Sequence, residues 1–269
     1  MEILMSALPA STVNLVRHDR PGRPGAFQPA LLPTDIAKGQ LMARLAIDPQ
    51  TRADAFSVRH ASYLAGGYID PRPNGQFSDA NDDMPNSQTV VVYRESRPVA
   101  SIRFCILDMD PALQGWDDIP ALHIFPEEVK TLMDNVPLKA EGGTGRPPRA
   151  IEINRLVRHP DFADDHELVF VLFRFATYMV LHHDTDVTLS CVRRNHMPFY
   201  RRIIKLSNVA GPRRYAGVKF ETHLMACERA KYNSVVRDVP IFNSSKITAG
   251  GYDGLFRGET VAVFGETAQ

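Results

Sequence analysis

A mixed α/β chain folded as one domain is what the sequence predicts, and three observations carry that expectation. Strand-like runs alternate with helical periodicity in the order strand–helix, hairpin, strand–helix–strand–helix–strand. The 269 residues, 44% hydrophobic and 23% charged, suit one large domain with extensions. The run Ile151–Val157 reads as a buried strand, yet it carries Glu152, Asn154 and Arg155.

Residues 1–40 are rich in Pro, Gly and Arg, as in Arg20-Pro21-Gly22-Arg23-Pro24-Gly25, and read as a flexible N-terminal arm. Leu41–Ile47 predicts a first strand. Residues 50–66 have helical spacing, with Ala53, Phe56, Tyr63 and Leu64 as core contacts and Gly66-Gly67 as the stop. Residues 74–87 form a polar loop. Thr89–Tyr93 and Val99–Leu107 flank a short turn at Glu95-Ser96 and predict a β-hairpin. Pro126 opens a short helix over 126–134, and 141–149 read as a Gly/Pro loop. Asp164 and Glu167 have capping-box spacing ahead of a helix that runs to about His183. That helix is apolar nearly all round, hence central. Val187–Val192 predicts a strand, Asn195–Lys205 a helix and Val218–Cys227 a last strand. The domain spans 41–229, with 230–269 as a C-terminal extension packed on it.

Composition excludes some classes of function. Lys+Arg and Asp+Glu are both 31, so no global basic field argues for nucleic acid. Three cysteines, none in a CxxC pair, do not suggest a disulfide framework, and Cys105 and Cys191 lie in apolar runs as core thiols. The start lacks a basic region ahead of a long apolar run, and the apolar stretch 168–181 is too short to span a bilayer and is broken by Arg174. A cytoplasmic protein without a transmembrane segment is expected. No metal site is expected either. The nine histidines show no ligand spacing, and an EF-hand opening at Asp79 needs Gly at 84 and Glu at 90, where the chain has Met84 and Val90.

Glu152 and Arg155 are three apart, so a regular strand sends them to opposite faces. If both serve one site, the strand carries a bulge that resets the pleat. Arg193, Arg194, Arg201, Arg202, Lys205, Arg213 and Arg214 fall within 22 residues. This local excess is either a solvated face or a dock for an acidic partner.

The order of elements, with Asn195-His196-Met197-Pro198-Phe199-Tyr200 after a strand, resembles the GNAT-like N-acyltransferase fold. That fold implies a central mixed, twisted sheet flanked by helices, with a V-shaped cleft between its fourth and fifth strands. The resemblance sharpens at Asp83-Met84-Pro85-Asn86-Ser87, at Val99-Ala100-Ser101-Ile102-Arg103 and at Glu152-Ile153-Asn154-Arg155. In this order they resemble the autoinducer-synthase branch: acyl-homoserine-lactone synthases and, more closely, N-acyl amino acid synthases related to FeeM. The similarity covers about residues 50–228. Two departures bear on the choice. Arg158–Asp165 lacks the glycines of a pyrophosphate loop, which favours an acyl-carrier-protein donor over acyl-CoA. Trp116 is the only tryptophan, so the one typical of the lactone synthases' N-terminal region is missing, which favours the amino-acid branch.

The resemblance implies acyl transfer from a thioester to an amine, with no permanently bound cofactor. Glu152 is the candidate base and Tyr200 the candidate acid for the leaving thiolate. Oxyanion donors are backbone N–H groups freed by the bulge. Arg59, Asp82, Asp83, Ser87, Arg103 and Arg155 are candidate substrate-binding residues. Among these, Asp82 or Asp83 faces the incoming ammonium, and Arg103 and Arg155 bind the acceptor's carboxylate or order the acidic loop. Arg193, Arg194, Arg201, Arg202 and Lys205 are the candidate dock for an acyl carrier protein, and the helix at 168–181 lines the acyl tunnel. Two other readings stay open: a lactone synthase consuming S-adenosylmethionine, and a non-catalytic acyl- or carrier-protein-binding module.

Overall fold

The structure, a computed structural model, describes residues 40–110, 112–136, 139–141, 144–215 and 217–264. Of the expected N-terminal arm at 1–40, residues 1–39 lie outside the described residues. Ten strands and seven helices occur among the described residues. Strand β1 (Leu41–Leu45) precedes α1 (Pro49–Ala65). The hairpin β2 (Ser87–Arg94) and β3 (Arg97–Asp108) follows. Then come α2 (Pro120–Ile124), α3 (Pro126–Asp134), a two-stranded ribbon of β4 (Lys139–Glu141) and β5 (Thr144–Arg146), and β6 (Arg149–Arg158). The second half runs α4 (Glu167–His182), β7 (Val187–Val192), α5 (Met197–Ile203), β8 (Ser207–Arg214) and β9 (Glu221–Glu228). It ends with α6 (Arg229–Asp238), α7 (Ser245–Thr248) and β10 (Val261–Ala262).

Eight strands form one mixed sheet in the order β10-β1-β2-β3-β6-β7-β9-β8. Every neighbouring pair is antiparallel except β6 and β7. Strand β3 is buried from Val99 to Asp108, so both of its faces are covered. The hairpin turn holds Glu95 and Ser96 at φ 49° and 67°, the left-handed pair that a two-residue hairpin loop requires.

Helix α1 starts where Asp48 accepts a hydrogen bond from the Thr51 N–H, with Pro49 in the first turn, and ends at Gly66. Its buried face includes the expected Tyr63 but otherwise differs from the one expected. Val58, Arg59, Ser62 and Tyr63 turn inward, while Leu64 is exposed and Ala53 and Phe56 only half-buried. The reason is polar: Arg59 reaches across to Thr89 on β2, opposite Arg103 on β3, so α1 covers the face that carries Arg103.

Helix α4 is buried from Leu168 to Val180 apart from Phe170's half-exposed ring, and packs on β3 and β6. Its start differs from the sequence reading. The helix opens at Glu167, whose N–H donates to Asp165 rather than to Asp164. Arg174, the one cation in its apolar run, is buried. Its guanidinium donates to the Ile241 and Val263 carbonyls, the Ser244 hydroxyl and the Tyr252 hydroxyl. Residues 241–263 are thereby pinned to α4, and β10 pairs with β1, covering that edge of the sheet.

Three further elements depart from expectation. The segment 141–149 contains the β5 strand of the ribbon rather than loop alone. The helix expected over Asn195–Lys205 is confined to Met197–Ile203, because Asn195 and His196 form the turn that enters it. Strand β8 is a full eight-residue edge strand, where the sequence shows only a basic, Gly-Pro-containing stretch.

Candidate active site

The site grows from the bulge on β6. Across the β3–β6 ladder, Cys105 pairs with Glu152, Arg103 with Asn154 and Ser101 with Val157. Two β6 residues, Arg155 and Leu156, therefore face the single residue Ile102. Arg155 sits at φ 49°, a left-handed conformation unusual for a residue with a side chain. The bulge swings Arg155 onto the face that carries Glu152, Asn154 and Arg103. On the other edge of β6, pairing with β7 covers only Ala150↔Val187, Ile151↔Thr188 and Glu152↔Leu189. Beyond Glu152 the two strands part, leaving a V-shaped opening between the fourth and fifth strands of the main sheet. At its apex the Ser190 hydroxyl donates to the Ile153 carbonyl (2.7 Å), a side chain replacing the next rung of the ladder.

Glu152 stands at this apex, fully buried. Its Oε2 accepts the Ala121 N–H in the first turn of α2 (2.7 Å), and its Oε1 has no hydrogen-bond partner in good geometry among the described residues. Burial pushes its carboxyl up to about 7, against the Ala121 N–H, Arg103, Asn154 and Arg155, which favour the charged form. Cys105 and Ser87 continue the row onto β3 and β2, with the two side chains 3.9 Å apart.

Beside Glu152 lies a buried ionic cluster. Arg103 Nη1 donates to Asp79 Oδ1 (2.7 Å) and sits 2.9 Å from Asp82 Oδ1, while its Nε donates to Asn154 (2.8 Å). Arg155 Nη2 donates to Asp79 Oδ2 (2.6 Å) and its Nη1 to the Tyr63 hydroxyl (3.2 Å). The rings of Tyr63, Phe77 and Tyr215 surround the Arg155 guanidinium at 5.1–5.5 Å. Arg59 Nη1 grips both oxygens of Asp82 (2.7 and 2.8 Å). Asp79 and Asp82 cap each other's backbone in the 3-10 turn Ala80–Asp83, so side chains and loop lock together. Burial works against the charge on Asp79, but the Arg103 and Arg155 guanidiniums hold its carboxyl well below the usual range. Arg59 and Arg103 lower Asp82 in the same way.

These contacts bear on the two roles expected of Arg103. The side chain is 0% exposed and bound by Asp79, Asp82 and Asn154, which ties it to the acidic loop. Arg59 and Asp82 are equally internal, at 0% and 3% side-chain exposure, and pair with each other. Asp83 turns to solvent and pairs with Arg52. Tyr200, on α5, is fully buried edge-on against Phe173 of α4, with ring centroids 5.5 Å apart.

The basic cluster divides. Arg194, Arg201, Arg202 and Lys205 are exposed around α5. Arg193 is half-buried, stacked on Tyr68 at 4.3 Å and hydrogen-bonded to the Tyr68 hydroxyl. Arg213 is tied to Glu128 of α3 and to the Ile124 carbonyl, strapping the α2–α3 segment to β8.

Asp79 and Tyr215 are central here and were not among the expected site residues. The spacing of Asp79 and Asp82, three apart like the ends of a capping box, is the one sequence signal for the first. Nothing local marks Tyr215. Among the described residues no group of His, Cys, Asp and Glu is arranged to hold a metal ion, and no helix is long and apolar enough to cross a membrane.

Comparison with known proteins gives this geometry its context. The family model described as N-acyl amino acid synthase FeeM matches residues 54–228. The solved structure of FeeM, an N-acyl amino acid synthase from uncultured soil microbes, superposes with a TM-score of 0.56 at 16% identity, over 72% of this chain and 94% of that one. BjaI, a CoA-dependent acyl-homoserine lactone synthase solved with MTA, gives 0.51 at 13% identity, over 74% and 90%. TofI, solved in a ternary complex with an inhibitor and MTA, gives 0.50 at 13% identity, over 74% and 96%. Among curated protein sequences none matches the chain.

Proposed function

The chain belongs to the FeeM family of N-acyl amino acid synthases and is an N-acyltransferase with a GNAT-like fold; on that premise we propose that it moves a long fatty acyl chain from a carrier-protein thioester to the amine of an amino acid. The observation that carries the reading is the place of Glu152: a buried carboxyl at the point where β6 and β7 part, which burial pushes up to about 7. An amino acid reaches the site as an ammonium and becomes a nucleophile only after losing a proton. A carboxylate with a raised pKa, held at one oxygen by the Ala121 N–H and without a partner in good geometry among the described residues at the other, suits that transfer. The amine then attacks the thioester carbonyl, the tetrahedral oxyanion is held by hydrogen-bond donors in the cleft, and the thiolate leaves with a proton from Tyr200.

The ionic cluster serves as the support. Arg103 and Arg155 order the 79–83 loop, and the loop in turn fixes Arg155, so Glu152 faces a rigid wall. The apolar length of α4 suits it to line the acyl chain's path. The exposed Arg194, Arg201, Arg202 and Lys205 suit an acidic carrier protein, with acyl-CoA as the competing donor. Incubating the purified protein with acyl carrier-protein thioester and amino acids, followed by mass spectrometry, tests the reading. Acyl amino acids support it. Acyl lactone formed with S-adenosylmethionine, or no product, removes it.

A further inference from the structure

Tyr215 lies just past β8, in the turn that leads to β9. Its N–H donates to the Phe220 carbonyl (3.4 Å) across that turn. In the sheet, β9 and β7 stand between β8 and β6. Even so, the Tyr215 ring meets a β6 residue: Arg155 Cζ is 5.1 Å from its centroid. The register explains the reach. Arg214 pairs with Glu221 and Val192 with His223, so this turn stands level with the C-terminal end of β7. There β6 and β7 have already parted, and the side chain crosses the opening.

Tyr215 is 5% exposed, and its hydroxyl has no hydrogen-bond partner among the described residues. Glu152 Oε1, in the same buried cluster, has none in good geometry either. A hydroxyl is rarely buried without a partner, so two such atoms together mark the place of a polar ligand. The groups acting electrostatically on the hydroxyl are Glu152, Arg155, Arg103 and Cys191.

Resting on the reading of this cleft as an N-acyltransferase centre, we infer that the Tyr215 hydroxyl is a catalytic hydrogen-bond donor to the thioester's carbonyl oxygen. As the amine nitrogen bonds to the carbonyl carbon, the C=O π pair moves onto oxygen, and the Tyr215 O–H holds that oxyanion. Glu152, having passed the ammonium's first proton to water, takes the second from the nitrogen and releases it in turn. The pair then returns, the C–S bond breaks, and the sulfur leaves with its electrons and takes a proton from Tyr200, which water reprotonates. Tyr215 keeps its proton throughout. Burial, with Glu152 alongside, raises its pKa well above the ordinary phenol value. A phenol so firmly protonated is a poor acid for a thiolate but a constant hydrogen-bond donor.

The test compares Tyr215→Phe with Tyr200→Phe on thioesters whose thiols span a range of acidity. Removing one oxyanion donor costs about 10²–10³-fold in kcat. We expect Tyr215→Phe to lose about that much, with an unchanged melting temperature, little change in the KM for the amine, and the same deficit for every leaving group. A deficit that vanishes with acidic thiols makes Tyr215 the leaving-group acid and overturns the assignment. So does wild-type kcat, or a loss confined to KM. If Tyr215→Phe fails to fold, difluorotyrosine at 215 keeps the ring and donor. Turnover near wild type then supports the assignment, and a 10²-fold loss overturns it. Absence of thiol release by the wild type removes the acyltransferase reading and this assignment together, whereas normal release by both proteins removes this assignment alone.

Discussion

Arg103 on β3 and Arg155 on β6 close on opposite oxygens of one carboxylate, Asp79, at 2.7 and 2.6 Å. The two cations stand on neighbouring strands of the same sheet face, where alone they repel. Asp79, delivered by the loop before β2, neutralises the pair, and Asp82 with Arg59 extends it. Breaking a buried ion pair by removing one member leaves uncompensated charge and costs about 3–5 kcal/mol. The cluster therefore fixes loop, bulge and cleft as one unit.

Asp79→Asn is expected to lose stability on that scale, because Arg103 and Arg155 then share a buried site without their common carboxylate. Urea denaturation followed by circular dichroism measures it. A loss under 1 kcal/mol, the size seen for an exposed pair, contradicts the latch.

Glu152→Gln should lower turnover by about 10²–10⁴-fold, the usual cost of a general base. It should also remove an acidic limb near pH 7 from the pH dependence of kcat/KM, since Glu152 is pushed up to about 7 and acts only when deprotonated. Titrating kcat/KM of wild type and variant from pH 3.5 to 8.5 checks both. A wild-type limb near 4.5 ties the activity to an ordinary carboxyl.

The same carboxyl makes an opposite prediction for stability. Its folded-state pKa is raised, so the contribution it makes is fully present below about 4.5 and is lost as pH rises through about 7. Glutamine stays neutral. The Gln variant should match wild type near pH 4 and exceed it above pH 8 by on the order of 3 kcal/mol. Melting curves at the two pH values decide, and equal stability at high pH argues against a destabilised charge.

Reversing Arg201 and Arg202 to Glu should slow transfer from an acyl carrier protein, weaken its salt dependence, and spare transfer from a small acyl thioester. Arg193→Ala, which loses its stack on Tyr68, should lower the melting temperature instead. Equal losses with both donors assign the exposed cations to structure.

Much of this was legible in the chain because alternation and end signals are local. The hairpin turn, the Gly66 stop and the strand Val187–Val192 all follow from a few adjacent residues. The bulge was legible too, since Glu152 and Arg155 cannot share a face without one. Strand β8 was not, because Ser207–Arg214 is exposed along most of its length and carries no apolar period. The roles of Asp79 and Tyr215 were not legible for another reason. Their partners lie 24 to 76 residues away for Asp79, and across two intervening strands of the sheet for Tyr215, distances that only the assembled sheet closes.

The most direct test of the central claim is the product. Purified enzyme is given acyl carrier-protein thioester, a mixture of the twenty amino acids and S-adenosylmethionine, and the reaction is read by mass spectrometry for wild type and Glu152→Gln. The account predicts an N-acyl amino acid from the wild type, little from the variant, and S-adenosylmethionine left intact. An acyl lactone with methylthioadenosine released, or acyl amino acid formed equally by both proteins, contradicts it.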